Sequence, residues 1–253
     1  MKKILIIGGT GVLGEAFSTY LSTKNKVFIA DNNLNKLKII SKKFNVNYSL
    51  LDVTRNGDIK KTIEKANKQL KGIDVVVHNI AQTSELLLKK YKKFPDFNSI
   101  PLSTWESDIA VGLTSAFILA QELDKLWKSN KSIKSLICVS SLYGVVSPNP
   151  NLYKDEKFYT LPSYSASKSG LISLVKWLSV YWAKRNIVTN TISPGGIRNK
   201  QSKSFIKKYN SLVPVGRMGK EEDILNVLDF LINNESNYLT GQNINVDGGY
   251  SSW

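Results

Sequence analysis

The 253-residue sequence is poor in the residues that build disulfides and metal centres, with one cysteine, Cys138, and one histidine, His78. A lone cysteine cannot close an intrachain disulfide, which suits the cytoplasm. One histidine and one cysteine also exclude a His/Cys cluster of the kind that binds zinc. No apolar run is long enough to cross a bilayer, and no linker rich in proline, glycine or serine divides the chain. The sequence therefore predicts one cytoplasmic domain, residues 1–253, with no metal and no membrane segment.

Arginine is also scarce. The formal net charge is +15, but only 4 of the 35 basic residues are arginine, and the lysines are scattered over many segments. A nucleic-acid surface needs its basic residues clustered on one face. The composition therefore argues against a nucleic-acid partner. It leaves open that the positive charge attracts an anionic substrate such as a sugar phosphate or a sugar acid.

Short apolar runs alternate with segments of helical length along the whole chain. Runs typical of buried strands lie at 3–7, 26–30, 47–51, 73–77, 134–139, 187–192 and 243–246. The helices are predicted at 12–22, 34–43, 56–70, 104–128, 163–184 and 221–232. Such alternation is typical of a parallel sheet covered by helices on both faces. The predicted fold class is therefore α/β, with a doubly wound parallel sheet of about seven strands.

The first strand run leads directly into a glycine-rich turn. Gly8, Gly11 and Gly14 follow this strand and open a segment with helical spacing. Glycine lets the backbone turn tightly beside a pyrophosphate, and a helix N-terminus presents free N–H groups and the positive end of its dipole. The spacing Gly-x-x-Gly-x-x-Gly differs from the usual Gly-x-Gly-x-x-Gly. Its place between a strand and a helix nevertheless predicts a dinucleotide site.

The second strand run ends at an acidic residue, Asp31, which lies 17 residues after Gly14. A carboxylate at this point accepts hydrogen bonds from the adenosine ribose hydroxyls. It also repels the 2′-phosphate of NADP. Asp31 therefore favours NAD as the cofactor.

Tyr164 and Lys168 are four residues apart in the sequence Tyr-Ser-Ala-Ser-Lys. On a helix this spacing places a phenol and an ammonium on one face. A phenol titrates near pH 10, and a fixed positive charge beside it lowers that pKa. The pair is therefore a candidate for moving a proton to or from a substrate oxygen.

These features, together with five further motifs, resemble the short-chain dehydrogenase/reductase family from Lys3 to about Tyr250. The five motifs are Leu51–Thr54, Asp74–Ala81, Val139–Ser141, Ser193–Gly196 and Tyr238–Gly249. The resemblance implies a Rossmann-type domain, an NAD-dependent oxidoreductase and a small-molecule substrate. It also implies a homotetramer, or a dimer, built from the long helices near 104–128 and 163–184 and from the C-terminal segment.

The resemblance assigns roles to individual residues. Its catalytic residues are Ser141, Tyr164 and Lys168. Tyr164 moves the proton, Lys168 lowers its pKa and holds the nicotinamide ribose, and Ser141 orients the reacting oxygen. The implied cofactor-binding residues, besides Tyr164 and Lys168, are Gly8, Gly11, Val12, Leu13, Gly14, Asp31, Asn32, Asp52, Val53, Asn79, Ala81, Pro194, Gly195, Gly196, Ile197 and Asn199. His78 is expected to pack or to form a hydrogen bond near the cofactor, and Cys138 to fill space in the core.

Besides His78 and Ala81 in the fourth-strand motif, two departures from the family pattern bear on catalysis and on cofactor binding. Gly112 stands where the family usually has an asparagine, whose backbone carbonyl is thought to hold a water in a proton relay. Gly112 keeps that carbonyl, but glycine costs about 1 kcal/mol of helix propensity unless the helix is kinked there. Asn199 stands where the family often has a threonine that binds the carboxamide, and its side chain offers both a donor and an acceptor. We expect both functions to survive.

The chain between Ser141 and Tyr164 is longer than is common in the family. This insertion, at about 145–162, lies beside the reacting carbon, where loops set specificity. It is interpreted either as a substrate loop or as a solvated or subunit-contacting excursion. The residues expected to contact substrate are Ser141, Tyr143, Tyr153 and Arg198.

A second segment, at about 198–215, is expected to cap the substrate. Within it, Phe205 and Tyr209 are predicted to face inward. The insertion and the Gly-Gly-Tyr ending at Tyr250 resemble bacterial dehydrogenases that modify flagellin or surface sugars. That resemblance points to a sugar, sugar phosphate or polyol as substrate.

Three alternatives remain beside a sugar or polyol dehydrogenase. An NADPH-dependent carbonyl or 3-oxoacyl reductase would need an open, apolar channel, and Asp31 speaks against it. A nucleotide-sugar epimerase or dehydratase would need a larger C-terminal substrate domain. A non-catalytic NADH-binding sensor or scaffold is allowed by Gly112 and would show no turnover that depends on Tyr164.

Overall fold

The computed structural model describes residues 1–84, 87, 91, 93–128 and 132–253, and all structural statements refer to these. Seven strands form one sheet in the order β3-β2-β1-β4-β5-β6-β7, and every neighbouring pair is parallel. The strands are β1 Lys3–Ile7, β2 Lys26–Asp31, β3 Asn47–Leu50, β4 Val75–His78, β5 Lys134–Val139, β6 Ile187–Pro194 and β7 Asn243–Val246. The order reverses between β1 and β4, which is where open α/β sheets bind ligands at the carboxyl ends of their strands.

Helices cover both faces of this sheet, which confirms the predicted fold class. The α-helices are α1 Val12–Ser22, α2 Leu34–Phe44, α3 Asp58–Leu70, α4 Leu102–Ile109, α5 Ser115–Leu126, α6 Pro162–Trp182, α7 Lys203–Asn210 and α8 Glu221–Asn233. No helix among the described residues is long and apolar enough to cross a membrane.

The core consists of two apolar layers, one on each face of the sheet. Alternate residues of β1 enter different layers, since Leu5 packs with α3, α5 and α6 while Ile4 packs with α1, α2 and α8. Both residues are fully buried. A strand that is buried on both faces needs a continuous apolar run, which is the pattern that marked β1 in the sequence.

The single helix expected at 104–128 is interrupted. A π-helical turn at Ala110–Thr114 separates α4 from α5, and Gly112 lies buried in its middle. A Cβ atom at Gly112 would lie 2.8 Å from the Ser167 hydroxyl oxygen on α6, so glycine allows this close approach. Turns of this kind occur often at functional sites. The π-helical turn was not predicted, and it faces the helix that carries Tyr164 and Lys168.

The insertion packs against the segment that was expected to cap the substrate. Leu152 of the insertion is buried in one apolar cluster with Tyr209 and Val213 of the cap. Asp155 accepts hydrogen bonds from Ser204 (2.7 Å) and from Lys208 (2.6 Å) of α7. Insertion and cap thus form one packed unit beside the sheet.

Candidate active site

The glycine turn after β1 forms one wall of a cleft of about 340 Å³ at the switch point of the sheet. Gly8 adopts a positive φ of 82°, and a Cβ there would lie 2.1 Å from the backbone oxygen of Asn79. The Asn79 side chain donates a hydrogen bond to the Gly8 carbonyl at 3.0 Å. The turn is therefore held against the end of β4 by a contact that only glycine permits.

The N-terminus of α1 faces this cleft without a side-chain cap. Gly11 occupies the N-cap position, makes no capping hydrogen bond and has open space where a Cβ would stand. The first-turn N–H groups of a helix have no intrahelical partner, so they are available to an anion. This arrangement fits the pyrophosphate of a dinucleotide. Of the first-turn residues expected to bind it, Leu13 packs against the core, and Gly14 allows α1 to lie within van der Waals contact of Gly8.

Asp31 ends β2 at the same cleft. Its carboxylate accepts one hydrogen bond from the Thr10 N–H (3.0 Å) and one from the Asn33 N–H (3.1 Å). Lys36 also reaches this edge and donates to the Thr10 carbonyl at 3.1 Å. A carboxylate fixed in this way keeps lone pairs for ribose hydroxyls, which fits the adenosine side of NAD.

The remaining lining divides into residues that the sequence indicated and residues that it did not. The cleft is lined by the expected Gly8, Gly11, Asp31, Asn32, Asp52, Val53, Asn79 and Ala81. Residues that sequence reasoning missed are Ile7, Thr10, Ala30, Asn33, Lys36, Leu51, Thr54, Ile80, Gln82 and Val111. Most of these adjoin an expected residue, so the strand ends were the available signal. Val111 comes instead from the π-helical turn, which no pattern located.

Lys168 lies under the cleft and is only 2% exposed. Its ammonium donates hydrogen bonds to the carbonyls of Val139 (2.8 Å), the last residue of β5, and of Ile80 (3.0 Å), which follows β4. Burial lowers the pKa of Lys168 to about 8. The ammonium lies 6.0 Å from the centroid of the Tyr164 ring on the same helix. The spacing of four residues therefore places both groups on one face, as the sequence predicted.

Ser141 lies at the carboxyl end of β5 and begins a 3₁₀ turn, Leu142–Gly144. The Ser141 hydroxyl oxygen accepts a hydrogen bond from the Tyr143 N–H at 3.1 Å, which leaves the hydroxyl proton to be donated. A Cβ at Gly144 would lie 2.9 Å from the carbonyl carbon of Lys168, and Ser140 donates to the Lys168 carbonyl at 2.9 Å. These contacts bring the Ser141 turn against the helix that carries Tyr164.

The loop after β6, Pro194–Ile197, lies on the other side of the site. The Gly195 N–H donates to the Val246 carbonyl at 2.9 Å, and the Gly196 N–H donates to the Tyr209 phenol of α7. Asn199 is exposed, and its backbone N–H donates to the Gln201 side chain at 2.7 Å. The cap therefore holds the loop that is expected to bind the nicotinamide.

His78 and Cys138 are both buried beneath the site, at paired positions of β4 and β5. The His78 ring forms a 2.9 Å hydrogen bond with Ser115, and burial together with the charge of Lys168 lowers its pKa to about 3. Burial raises the pKa of Cys138 to about 12. His78 is neutral and Cys138 is a thiol at neutral pH. The structure therefore gives both residues the packing positions that the sequence suggested.

Of the residues expected to touch substrate, Tyr143 and Tyr153 contact each other, whereas Arg198 lies at the surface. Tyr143 and Tyr153 meet, with 3.3 Å between their phenol oxygens. Arg198 is exposed at the end of the loop after β6. A cavity of about 670 Å³ opens next to Tyr153, between the insertion and residues 94–97. Its walls combine rings such as Phe94 and Phe158 with exposed lysines. Neither Ser141 nor Tyr164 lines it, so this cavity adjoins the candidate site and is not its centre.

The chain is similar to known proteins over almost its whole length. A family model described as enoyl-(acyl carrier protein) reductase matches residues 19–251. A short-chain dehydrogenase from Leptospira borgpetersenii, solved with bound NAD+, superimposes with a TM-score of 0.82 and 28% identity over 99% of this chain and 92% of that one. The chain belongs to the short-chain dehydrogenase/reductase family.

Two curated relatives of this family member share about a third of its residues. The 3-oxoacyl-[acyl-carrier-protein] reductase FabG of Rickettsia conorii is 31% identical over 98% of this chain and 96% of its own length. The FabG of Thermotoga maritima is 30% identical over 98% and 97%. This short-chain dehydrogenase/reductase is therefore an oxidoreductase. The names of these relatives agree better with the 3-oxoacyl reductase alternative than with a sugar dehydrogenase.

Proposed function

We propose that this protein is an NAD(H)-dependent oxidoreductase that interconverts a secondary alcohol and a ketone on a sugar, sugar phosphate or polyol-like substrate. Asp31 supports the choice of NAD, because its carboxylate, fixed by two backbone N–H groups at the end of β2, would repel a 2′-phosphate on the adenosine ribose. The Leptospira short-chain dehydrogenase, a relative of 28% identity, was solved with bound NAD+, which supports this choice.

The proposed chemistry assigns one task to each of three side chains. When bound, the cofactor would supply a hydride as NADH or accept one as NAD+. Tyr164 exchanges a proton with the substrate oxygen, and the Ser141 hydroxyl donates a hydrogen bond that orients the same oxygen. The Lys168 ammonium, held by two backbone carbonyls, favours the phenolate form of Tyr164 and holds the nicotinamide ribose.

The remaining cofactor contacts follow the geometry of the cleft. The first turn of α1 would hold the pyrophosphate, and Asp52 would lie by the adenine. Hydrogen bonds from Thr54 hold the pKa of Asp52 below its usual range, so its carboxylate is ionised. The loop Pro194–Ile197 would bind the carboxamide.

A second candidate is an NADPH-dependent 3-oxoacyl reductase. Two observations favour it: the FabG relatives, which match over nearly the whole chain, and the large cavity with aromatic walls beside Tyr153. An acyl chain can bury its apolar surface against such rings. The polar insertion and Asp31 favour the first candidate.

One experiment separates these candidates. Oxidation of NADH and of NADPH is followed with 2-hydroxycyclohexanone and with a 3-oxoacyl thioester, and the reverse reaction with NAD and a panel of sugars, sugar phosphates and polyols. We expect NADH to be preferred and the preference to fall at least tenfold in Asp31→Asn. NADPH-dependent reduction of the thioester alone would establish the second candidate. Binding of NADH with no turnover that depends on Tyr164 would indicate a non-catalytic sensor.

Two helices expose apolar side chains that suit contacts between subunits. α5 and α6 carry large exposed apolar side chains, among them Phe117, Trp177 and Val180. We propose that these helices form the contacts of a homotetramer or dimer. Trp182, on the same helix as Trp177, is fully buried and donates to Asp124 at 2.7 Å, so it takes no part in such a contact.

A further inference from the structure

Four tyrosines gather between the insertion, the cap and the Ser141 turn. This tyrosine cluster consists of Tyr143, Tyr153, Tyr209 and Tyr250. The ring of Phe205 bridges Tyr153 and Tyr209, with centroid separations of 5.7 Å and 6.0 Å, and Tyr209 stacks on Tyr250 at 5.3 Å. The cluster therefore spans the distance from the insertion to the C-terminal segment as one packed unit.

The hydrogen bonds in this cluster leave the phenol proton of Tyr143 available. Tyr153 donates its proton to the Tyr143 oxygen at 3.3 Å, and the Thr160 hydroxyl lies 2.7 Å from Tyr153. Since Tyr153 has a single proton, Thr160 acts as the donor in the second contact. Tyr143 therefore accepts a bond, and it donates to no group among the residues that the structure describes.

Tyr143 also lies at the reacting end of the site. It follows Ser141 by two residues, and its backbone N–H is bonded to the Ser141 hydroxyl oxygen at 3.1 Å. One short turn thus carries both the hydroxyl expected at the reacting oxygen and a phenol with a proton to give. A substrate oxygen held at Ser141 would therefore lie beside the turn that carries this phenol.

The cluster presents neutral groups. Burial raises the pKa of Tyr143 and of Tyr209 above the ordinary value of a phenol, so both stay protonated at neutral pH. A protonated phenol is a hydrogen-bond donor. Leaving its proton without an acceptor, as an apolar substrate would, is unfavourable.

Building on the proposed function, we propose that Tyr143 is the specificity-determining hydrogen-bond donor, which selects substrates with a hydroxyl or carbonyl oxygen beside the reacting carbon. The observation that carries it is the unused phenol proton in the turn that holds Ser141.

Binding of two matched ligands tests this inference without requiring turnover. The affinities of cis-cyclohexane-1,2-diol and of cyclohexanol are measured by calorimetry on the full chain saturated with NADH. We expect the diol to bind about fivefold to tenfold more tightly, as one added hydrogen bond allows. In Tyr143→Phe the two affinities should agree within about twofold.

Two further variants separate recognition from packing. Tyr153→Phe removes the hydrogen bond that Tyr153 donates to Tyr143 but leaves the phenol proton of Tyr143 in place. The preference for the diol should therefore persist. Tyr238→Phe, at an exposed position, should behave as the parent protein does. Equal affinities for both ligands in the parent protein, or a preference that survives in Tyr143→Phe, would overturn the inference.

Turnover is measured separately, as NADH oxidation with 2-hydroxycyclohexanone. Diol preference without turnover would count against the proposed function while leaving the role of Tyr143 intact. Turnover with no diol preference would do the reverse.

Discussion

Replacing Lys168 by Met should change how the stability of this protein depends on pH. Lys168 is almost fully buried, and its pKa in the folded state is about 8, against about 10.5 when exposed. Below pH 8 both the folded and the unfolded chain carry the proton, so the folded state bears the full cost of a buried ammonium. Above pH 8 the folded chain releases the proton while the unfolded chain keeps it, and stability rises until about pH 10.5.

The size of the effect follows from this shift. Each pKa unit corresponds to about 1.4 kcal/mol, so between pH 7 and pH 9.5 the parent protein should gain about 2 kcal/mol that Lys168→Met cannot gain. Met lacks the two hydrogen bonds that Lys168 donates, but that loss does not vary with pH. The difference between the two proteins therefore isolates the titration of one side chain.

The assay is urea unfolding of both proteins at five pH values between 6 and 10, without cofactor and at one protein concentration. The free energy of unfolding of the parent minus that of the variant should rise over this range. A difference that stays flat, or falls, would refute the assignment of a buried lysine with a lowered pKa.

Three further predictions concern the site and its surroundings. Tyr164→Phe should abolish turnover and leave the affinity for NADH nearly unchanged, as measured by fluorescence titration; full turnover would exclude Tyr164 as the proton donor. Gly8→Ala should destabilise the fold by about 3 kcal/mol or more, since a Cβ would meet a backbone oxygen at 2.1 Å. Gly57→Ala is the matched control, because Gly57 has a similar φ of 83° with open space around it, and its cost in urea unfolding should stay near 1 kcal/mol, about that of the strained φ alone. Equal costs would show that backbone strain, not the contact, governs the turn. Asp155→Asn removes the ion pair between the insertion and Lys208 of α7 and should raise KM by no more than about fivefold. High salt should weaken this effect. A loss of kcat at constant KM would contradict the view that Asp155 only positions the insertion against α7.

The sequence determined the parts of this protein that depend on local order along the chain. The alternation of apolar runs and helical segments defined the parallel sheet, because strands buried on both faces need continuous apolar residues. Glycines between β1 and α1 located the cleft, since parallel strands all end at one edge of the sheet. The spacing of Tyr164 and Lys168 placed both on one face of α6 because a helix turns every 3.6 residues.

Contacts between distant segments decided the rest. The helix expected at 104–128 is divided by a π-helical turn, because Gly112 lies against Ser167 of α6, a neighbour that no local pattern shows. Trp182 is buried in the core, where it donates a hydrogen bond to Asp124, a residue 58 positions away in the sequence. In the same way, no local pattern shows that the insertion packs on the cap through Leu152.

The tyrosine cluster shows the same limit in the site itself. Tyr143 and Tyr153 were each recognisable as aromatic residues near the reacting end, but their hydrogen bond and the direction of its proton depend on Thr160. Local sequence thus fixes which elements form, because helix and strand periods involve near neighbours. Donor and acceptor pairing within the site is a property of side chains that meet only after the chain has folded.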